Sequence, residues 1–166
     1  MISSSRMNTI KRFLPVFLLV IATAACDDWN TGFEFKPPDT STAPAPYDTT
    51  NAQKFYRADG LKVYTVIAGT GDIAISEVDR VYTFYTLRKM DGKIQESTYS
   101  DGNTTNPTLL SMSSLIRGFR EGLLGQRAGA RVVLIIPPAL GYGNSPTHAL
   151  RNDTLRFDID VTSILD

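Results

Sequence analysis

Residues 115–143 constrain the fold more than any other part of the chain. Leu115-Ile116-Arg117-Gly118-Phe119-Arg120-Glu121-Gly122-Leu123 reads as a short helix beginning at Leu115. Two glycines four residues apart give that helix a flat patch, so it can lie close against a sheet. Phe119 falls one turn after Leu115, on the side to be buried. Gly129-Ala130-Arg131 comes next. The apolar run Val132 to Ile136 then stops at Pro137-Pro138, and Ala139-Leu140-Gly141-Tyr142-Gly143 closes the stretch. Together these residues predict a helix packed on a sheet, with a proline-stiffened loop presenting a phenol beside it.

Around this stretch the signals are mostly strand. Leu61 to Ile67 is β-rich and ends at the turn Gly69-Thr70-Gly71-Asp72. Val81 to Leu87 is a second strand, and Asp91-Gly92 is a strong hairpin turn. Pro107 to Met112 makes a short strand, and Ser113-Ser114 is placed to cap the helix. Arg131 to Ile136 is a central apolar strand. The last strand alternates Leu155, Phe157, Ile159 and Val161 inward with Arg156, Asp158 and Asp160 outward. Several antiparallel strands, one helix before the penultimate long strand and a closing strand make an α+β layout. Gly69-Thr70-Gly71-Asp72-Ile73-Ala74 matches the G-x-G-x-x-A dinucleotide fingerprint and follows a strand. It leads toward another strand rather than a helix, so it is read as a glycine turn.

The chain has 166 residues, enough for one domain with appendages. Basic and acidic residues balance at 17 each. Without the leader's Arg6, Lys11 and Arg12 the balance is 14 against 17, a net charge of −3. No basic patch stands out, so nucleic acid is not an expected partner. With one cysteine, Cys26, and one histidine, His148, there is neither an internal disulfide nor a zinc site of the usual Cys/His kind. No P-loop, G-x-S-x-G elbow or H-E-x-x-H motif occurs.

The N-terminus reads as an address. Arg6, Lys11 and Arg12 precede an apolar run from Phe13 to Ala25, with Ala24-Ala25-Cys26 at its end. This is the pattern of a secretory signal peptide, and Met7 is an alternative start. The apolar run is short for a bilayer span, which needs about 20 residues. A lone cysteine after two alanines resembles a bacterial lipoprotein signal, although Thr23 stands where that signal usually has Leu. The resemblance implies lipidation of Cys26 and a chain tethered by acyl groups; an ordinary signal peptide is the alternative. Residues 26–52, with Pro37, Pro38, Pro44 and Pro46 among Asp, Ser and Thr, read as a disordered linker. As a flexible coil it would span roughly 28 Å. The expected division is a leader over 1–25, a linker over 26–52 and a folded domain over 53–166.

From about Gly60 to Leu165 the chain resembles the FKBP-type peptidyl-prolyl isomerases. The matching pieces fall in the family's order: Tyr85-Thr86, Asp91-Gly92-Lys93, Leu115 to Leu123, Gly129 to Arg131, Pro138 to Gly143, and Asn152 to Val161. The resemblance implies an antiparallel half-barrel sheet wrapped around one short helix, with an apolar pocket between them. It places Phe119 on the pocket floor, where many members carry Trp. Tyr85, Leu115, Ile116, Tyr142 and Phe157 are implied to line it. The Ile116 N–H and the Tyr142 hydroxyl are implied to bind carbonyls of a proline-containing polypeptide. No cofactor or metal is implied, and a monomer is expected.

The chain departs from the family pattern in several places. The aligned pair after Asp91-Gly92-Lys93 is Gln95-Glu96, where members usually carry an aromatic and Asp. Glu96 keeps the charge on a longer arm, whereas Gln95 removes an aromatic wall. An aromatic is replaced near Asn106 to Thr108, and Leu87 stands where Gly usually follows Tyr-Thr. Ala149-Leu150 replaces Ile-Pro at the substrate-binding rim, and the loop from Asn144 to His148 is about two residues short. The first reading is an exported, lipid-anchored prolyl isomerase that assists protein folding in a bacterial envelope. The rivals are a peptide-binding chaperone of the same fold with weak or no catalysis, and a structural envelope lipoprotein.

Overall fold

The computed structural model describes residues 36–165; Cys26, the leader and Trp29, Phe33 and Phe35 lie outside the described residues. Seven strands form one antiparallel sheet: β1 (Gln53–Tyr56), β2 (Lys62–Ile67), β3 (Arg80–Lys89), β4 (Ile94–Ser97), β5 (Thr108–Ser111), β6 (Arg131–Ile136) and β7 (Leu155–Leu165). One helix, α1 (Arg117–Leu123), lies between β5 and β6 in the chain. The spatial order is β1-β2-β6-β7-β3. The far edge of β3 is shared, with β5 along Arg80–Thr83 and β4 along Thr86–Arg88. The architecture is α+β with a single helix on the sheet, as the residue pattern predicts.

The core lies between α1 and the sheet. Leu155, Phe157, Ile159 and Val161 of β7 are buried with Val132, Leu134 and Ile136 of β6 and Phe119 and Leu123 of α1. The two glycines account for the short distance between helix and sheet. A Cβ on Gly118 would stand 2.4 Å from Ile136 Cγ2, and one on Gly122 would stand 2.5 Å from Leu134 Cδ2. Both are closer than packed carbons approach. The helix stops at Gly125, whose φ of +79° suits the residue that ends a helix.

Several sequence expectations are corrected. The helix begins at Arg117 rather than Leu115, and its N-cap, Ile116, makes no side-chain cap. Ser113 and Ser114 belong instead to a preceding 3₁₀ turn, Met112–Ser114, where the Ser114 hydroxyl donates to the Ser111 carbonyl at 2.9 Å. A further strand, β1, pairs with β2 before Leu61 is reached. Asp158 faces outward as expected but is buried there, because the end of the expected linker covers it.

Residues 39–50 run as a strap across the face of the sheet opposite the helix. Asp158 accepts from Arg88 Nη1 (2.6 Å), Arg156 Nη2 (2.8 Å) and the Tyr47 N–H (3.1 Å). Arg88 also donates to the Pro44 carbonyl, and Arg156 to the Tyr47 carbonyl at 2.7 Å. Asp160 takes the hydroxyls of Tyr47 (2.5 Å) and Tyr99 (2.7 Å) and Arg131 Nε (2.8 Å). The Arg131 guanidinium stands 4.5 Å from the Tyr47 ring, an attractive cation–π placement. A proline-rich segment cannot build a core, but its carbonyls can serve the charged side chains that the sheet turns outward. The expected linker is therefore ordered over its last part.

The glycine turn also has a structural cause. Thr70 N and Gly71 N both donate to the Ala128 carbonyl (3.0 and 3.1 Å). A Cβ on Gly69 would meet the Arg127 carbonyl oxygen at 2.3 Å. Ala74 then bridges Arg127 in extended conformation. No helix opens there, so the fingerprint lacks the element that would hold a pyrophosphate.

Candidate active site

Tyr85 comes from β3, whose side chains alternate. Phe84, Thr86 and Arg88 face the strap side, while Tyr85 and Leu87 face the helix side with Phe157 of β7. Leu115 and Ile116 precede α1 in extended conformation, and Phe119 follows within its first turn. The Pro137-Pro138 turn ends β6 and delivers Tyr142 to the same place. These elements enclose a pocket of about 210 Å³ lined by Tyr85, Glu96, Leu110, Ser114, Leu115, Ile116, Phe119, Tyr142 and Phe157. All but two of these are residues the sequence puts forward, and they come from six separate segments.

The aromatic rings fix the floor. Phe119 and Phe157 meet edge to face with centroids 4.9 Å apart at 88°. Tyr85 lies 6.1 Å from each, at 79° to Phe119 and 54° to Phe157. Such edge-on arrangements are favourable for aromatic quadrupoles. Phe119 and Phe157 are buried, whereas Leu115, Ile116 and Tyr142 are half-exposed at the rim.

Polar groups at the rim are few. The Tyr85 hydroxyl donates to the Glu96 carboxylate. Burial first, then that hydrogen bond and the charge of Glu96, push the Tyr85 phenol well above its ordinary value. Tyr142 is raised as well, by burial and then by Glu96. Neither the Tyr142 hydroxyl nor the Ile116 N–H has a hydrogen-bond partner among the described residues. The Ile116 carbonyl, by contrast, accepts from Phe119 N and Arg120 N, both at 3.1 Å. The pocket thus has an apolar floor and two free donors at its edge. Such a site can bind an apolar ring and receive carbonyl oxygens beside it.

Three expected substrate-binding residues do not line the pocket. The Gln95 amide turns back to the carbonyls of Lys93 (3.3 Å) and Ile94 (3.2 Å), because alternation along β4 gives Glu96 the pocket side. Leu150 is buried in the core, and Ala149 is exposed to solvent. Sequence reading missed Leu110, Ser114 and His148. Leu110 was legible from alternation along β5; Ser114 and His148 reach the site through turns that no periodicity marks. His148 stacks on Tyr142 with centroids 3.6 Å apart and planes 9° from parallel.

A larger cleft of about 480 Å³ lies between β1, β2 and the C-terminal end of α1, lined by Gln53, Thr65, Glu121, Gln126 and Arg127 among others. Its one aromatic lining residue is Phe55 of β1, and Glu121 at its edge is already paired with Arg57 (2.8 Å) and Arg117 (2.7 Å). Among the described residues no group of His, Cys, Asp and Glu is arranged to hold a metal ion.

Comparison with known proteins agrees with this geometry. The family model for FKBP-type peptidyl-prolyl cis-trans isomerase matches residues 71–162, which includes all nine pocket-lining positions. The chain is 32% identical over 120 residues to the FKBP-type peptidyl-prolyl cis-trans isomerase FkpA of Escherichia coli, covering 68% of this chain and 43% of that protein. It is 32% identical over 108 residues to FK506-binding protein 1A of Neurospora crassa, covering 64% of this chain and 89% of that one. The crystal structure of Escherichia coli FkpA superposes with a TM-score of 0.60 at 30% identity, over 67% of this chain and 51% of that chain. The chain therefore spans less than half the length of FkpA, and the shared part is the folded domain. The family match takes in β3 to β6, most of β7, the helix and the aromatic pocket between them, and on it the chain belongs to the FKBP-type peptidyl-prolyl cis-trans isomerase family.

Proposed function

We propose that this chain catalyses cis–trans isomerisation of X–Pro peptide bonds, with the pocket over Phe119 as its active site. The observation that carries the reading is an apolar floor of Phe119, Phe157 and Tyr85 flanked by two unpaired donors, the Ile116 N–H and the Tyr142 hydroxyl. Resonance holds the amide planar behind a barrier of about 18–20 kcal/mol. Unaided, an X–Pro bond turns over in tens to hundreds of seconds. The twisted transition state has lost that resonance and is less dipolar than the planar amide. A prolyl ring seated on Phe119 places the amide where little water can stabilise the planar form. Donors that hold the neighbouring carbonyls more tightly in the twisted geometry lower the barrier by differential binding. Leu115 supplies apolar contact at the rim, and Glu96 fixes the Tyr85 ring. The step transfers no proton and forms no covalent intermediate.

The test is the cis-to-trans rate of short X–Pro peptides with the purified chain from residue 27, beside Phe119→Ala. Acceleration that disappears in Phe119→Ala is expected. Acceleration that survives would move the site elsewhere. A folded chain with no acceleration would favour the second reading, a peptide-binding module, which the positions of Gln95, Ala149 and Leu150 outside the pocket support.

The proposal extends to location. Arg6, Lys11 and Arg12, the apolar run to Ala25, and Cys26 after two alanines support export with lipidation at Cys26. The client class is then exported polypeptides whose folding waits on proline. Because residues 39–50 lie on the sheet, the tether is shorter than the 26–52 expected from composition.

A further inference from the structure

We infer that His148 is a positioning residue for Tyr142, and that its protonation releases the phenol and slows the reaction. The inference rests on the isomerase reading above and assigns a role to a residue outside the pocket lining. The chain from Tyr142 returns on itself through three tight turns. Ser145 N donates to the Tyr142 carbonyl (2.9 Å), His148 N to the Ser145 carbonyl (3.2 Å) and Arg151 N to the His148 carbonyl (3.1 Å). This path lays the imidazole flat over the Tyr142 ring at 3.6 Å. The ring is held at its edge by Leu150 N, which donates to His148 Nδ1 at 3.1 Å. Leu150 is itself buried in the core. The imidazole therefore links a fixed core residue to a phenol ring whose hydroxyl has no hydrogen bond among the described residues.

That link requires the neutral ring. Nδ1 can accept from Leu150 only while unprotonated, which places the ring proton on Nε2. In the imidazolium both nitrogens are donors, so the Leu150 N–H would face another N–H. Protonation would add a cation–π attraction to the phenol, but it acts between two groups of the same loop and cannot restore the lost anchor. The other charged and titratable groups around the pair are few. Glu96 and Tyr85 approach Tyr142 from β4 and β3, and Arg151 is turned to the Pro146 carbonyl at 2.8 Å.

The experiment uses the purified full chain in detergent and an X–Pro peptide assayed between about pH 8 and pH 5. As the chain has one histidine, a single imidazole NMR signal reports its titration. The rate constant kcat/KM should fall on acidification with a midpoint matching that signal, and the fall should survive Glu96→Gln. His148→Ala should lower kcat/KM about 2- to 10-fold at pH 7.5, the range one neutral hydrogen bond is worth, and abolish the acid limb. In a Tyr142→Phe background His148→Ala should cost nothing further, an outcome a merely structural role would not produce. A wild-type rate in His148→Ala, an acid limb that persists in it, or additive losses in the double variant would each overturn the inference. If the wild-type chain accelerates nothing, the isomerase reading fails, and the coupling is read instead in peptide affinity. Affinity that weakens with the imidazole titration would uphold the positioning role, and affinity indifferent to it would overturn that as well.

Discussion

Tyr142→Phe deletes one hydroxyl that has no partner among the described residues, so its stability cost should be close to nothing and its catalytic cost should not. We expect kcat/KM to fall about 2- to 10-fold with an unchanged melting temperature. An unchanged rate would remove the phenol from the mechanism. Other phenols tie the fold to pH. Tyr47, Tyr85, Tyr99 and Tyr142 are all raised in the folded chain, first by burial, with Tyr99 pushed up to about 12. A raised folded value means that the native state holds the phenolic proton more tightly than the unfolded chain does. Their stabilising share is therefore complete below the unfolded value of about 10 and is lost as pH rises through the folded values. Denaturation midpoints should be level from about pH 7 to 9.5 and fall above about pH 10 as phenolate absorbance appears. A decline that begins well before phenolate forms would place the alkaline sensitivity in other groups.

At the scale of elements, two contacts set the architecture. The helix can lie on β6 only because Gly118 and Gly122 have no side chain, and Ile136 beneath Gly118 is fully buried with no room to retreat. Gly118→Ala gains up to about 1 kcal/mol of helix propensity but forces an overpacking cost of about 1–3 kcal/mol. A net loss of about 1 kcal/mol is expected from urea denaturation, together with slower catalysis as the pocket floor is displaced. A more stable Gly118→Ala chain would show that helix and sheet can separate without penalty. The strap makes the second contact. Asp158→Ala strands the buried Arg88 guanidinium and should cost about 3–5 kcal/mol. In a chain beginning at residue 52, where water can reach Arg88, the same substitution should cost clearly less. Equal losses in both chains would mean that the sheet alone buries the pair.

For the whole molecule the question is where the domain is held. Cys26→Ser should move the protein from the membrane to the soluble fraction after cell breakage, and an anchor elsewhere would leave it on the membrane. Attachment of the strap to β3, β7 and the turn after β4 also sets where residues 39–42 lie on the domain. Asp39 and Asp101 bond reciprocally through N–H groups and carbonyl or carboxylate oxygens. Thr42 Oγ1 donates to the Tyr99 carbonyl at 2.5 Å. The strap therefore begins beside the segment that follows β4, the strand carrying Glu96, and not beside β1.

The sequence by itself determined whatever depends on local period and steric necessity. Alternation along residues 155–161 marks the buried face of the last strand. The glycine spacing in 118–122 marks a helix seated closely on a strand, and Asp91-Gly92 marks a hairpin whose Gly92 has φ +88°. Seven of the nine pocket-lining residues followed from the family pattern, since a pocket floor is built from the same inward positions as the core. The tertiary structure decided what depends on partners distant in the chain. Asp158 reads as solvent-facing until Tyr47, 111 positions earlier, is laid over it. Gln95 reads as a substrate-binding residue until the strand's register turns only Glu96 toward the pocket. His148 reads as an isolated loop residue until two successive turns fold it onto Tyr142. Local pattern fixes which face a side chain takes, while the free energy of burying a charge or stacking a ring depends on what arrives there from elsewhere in the chain.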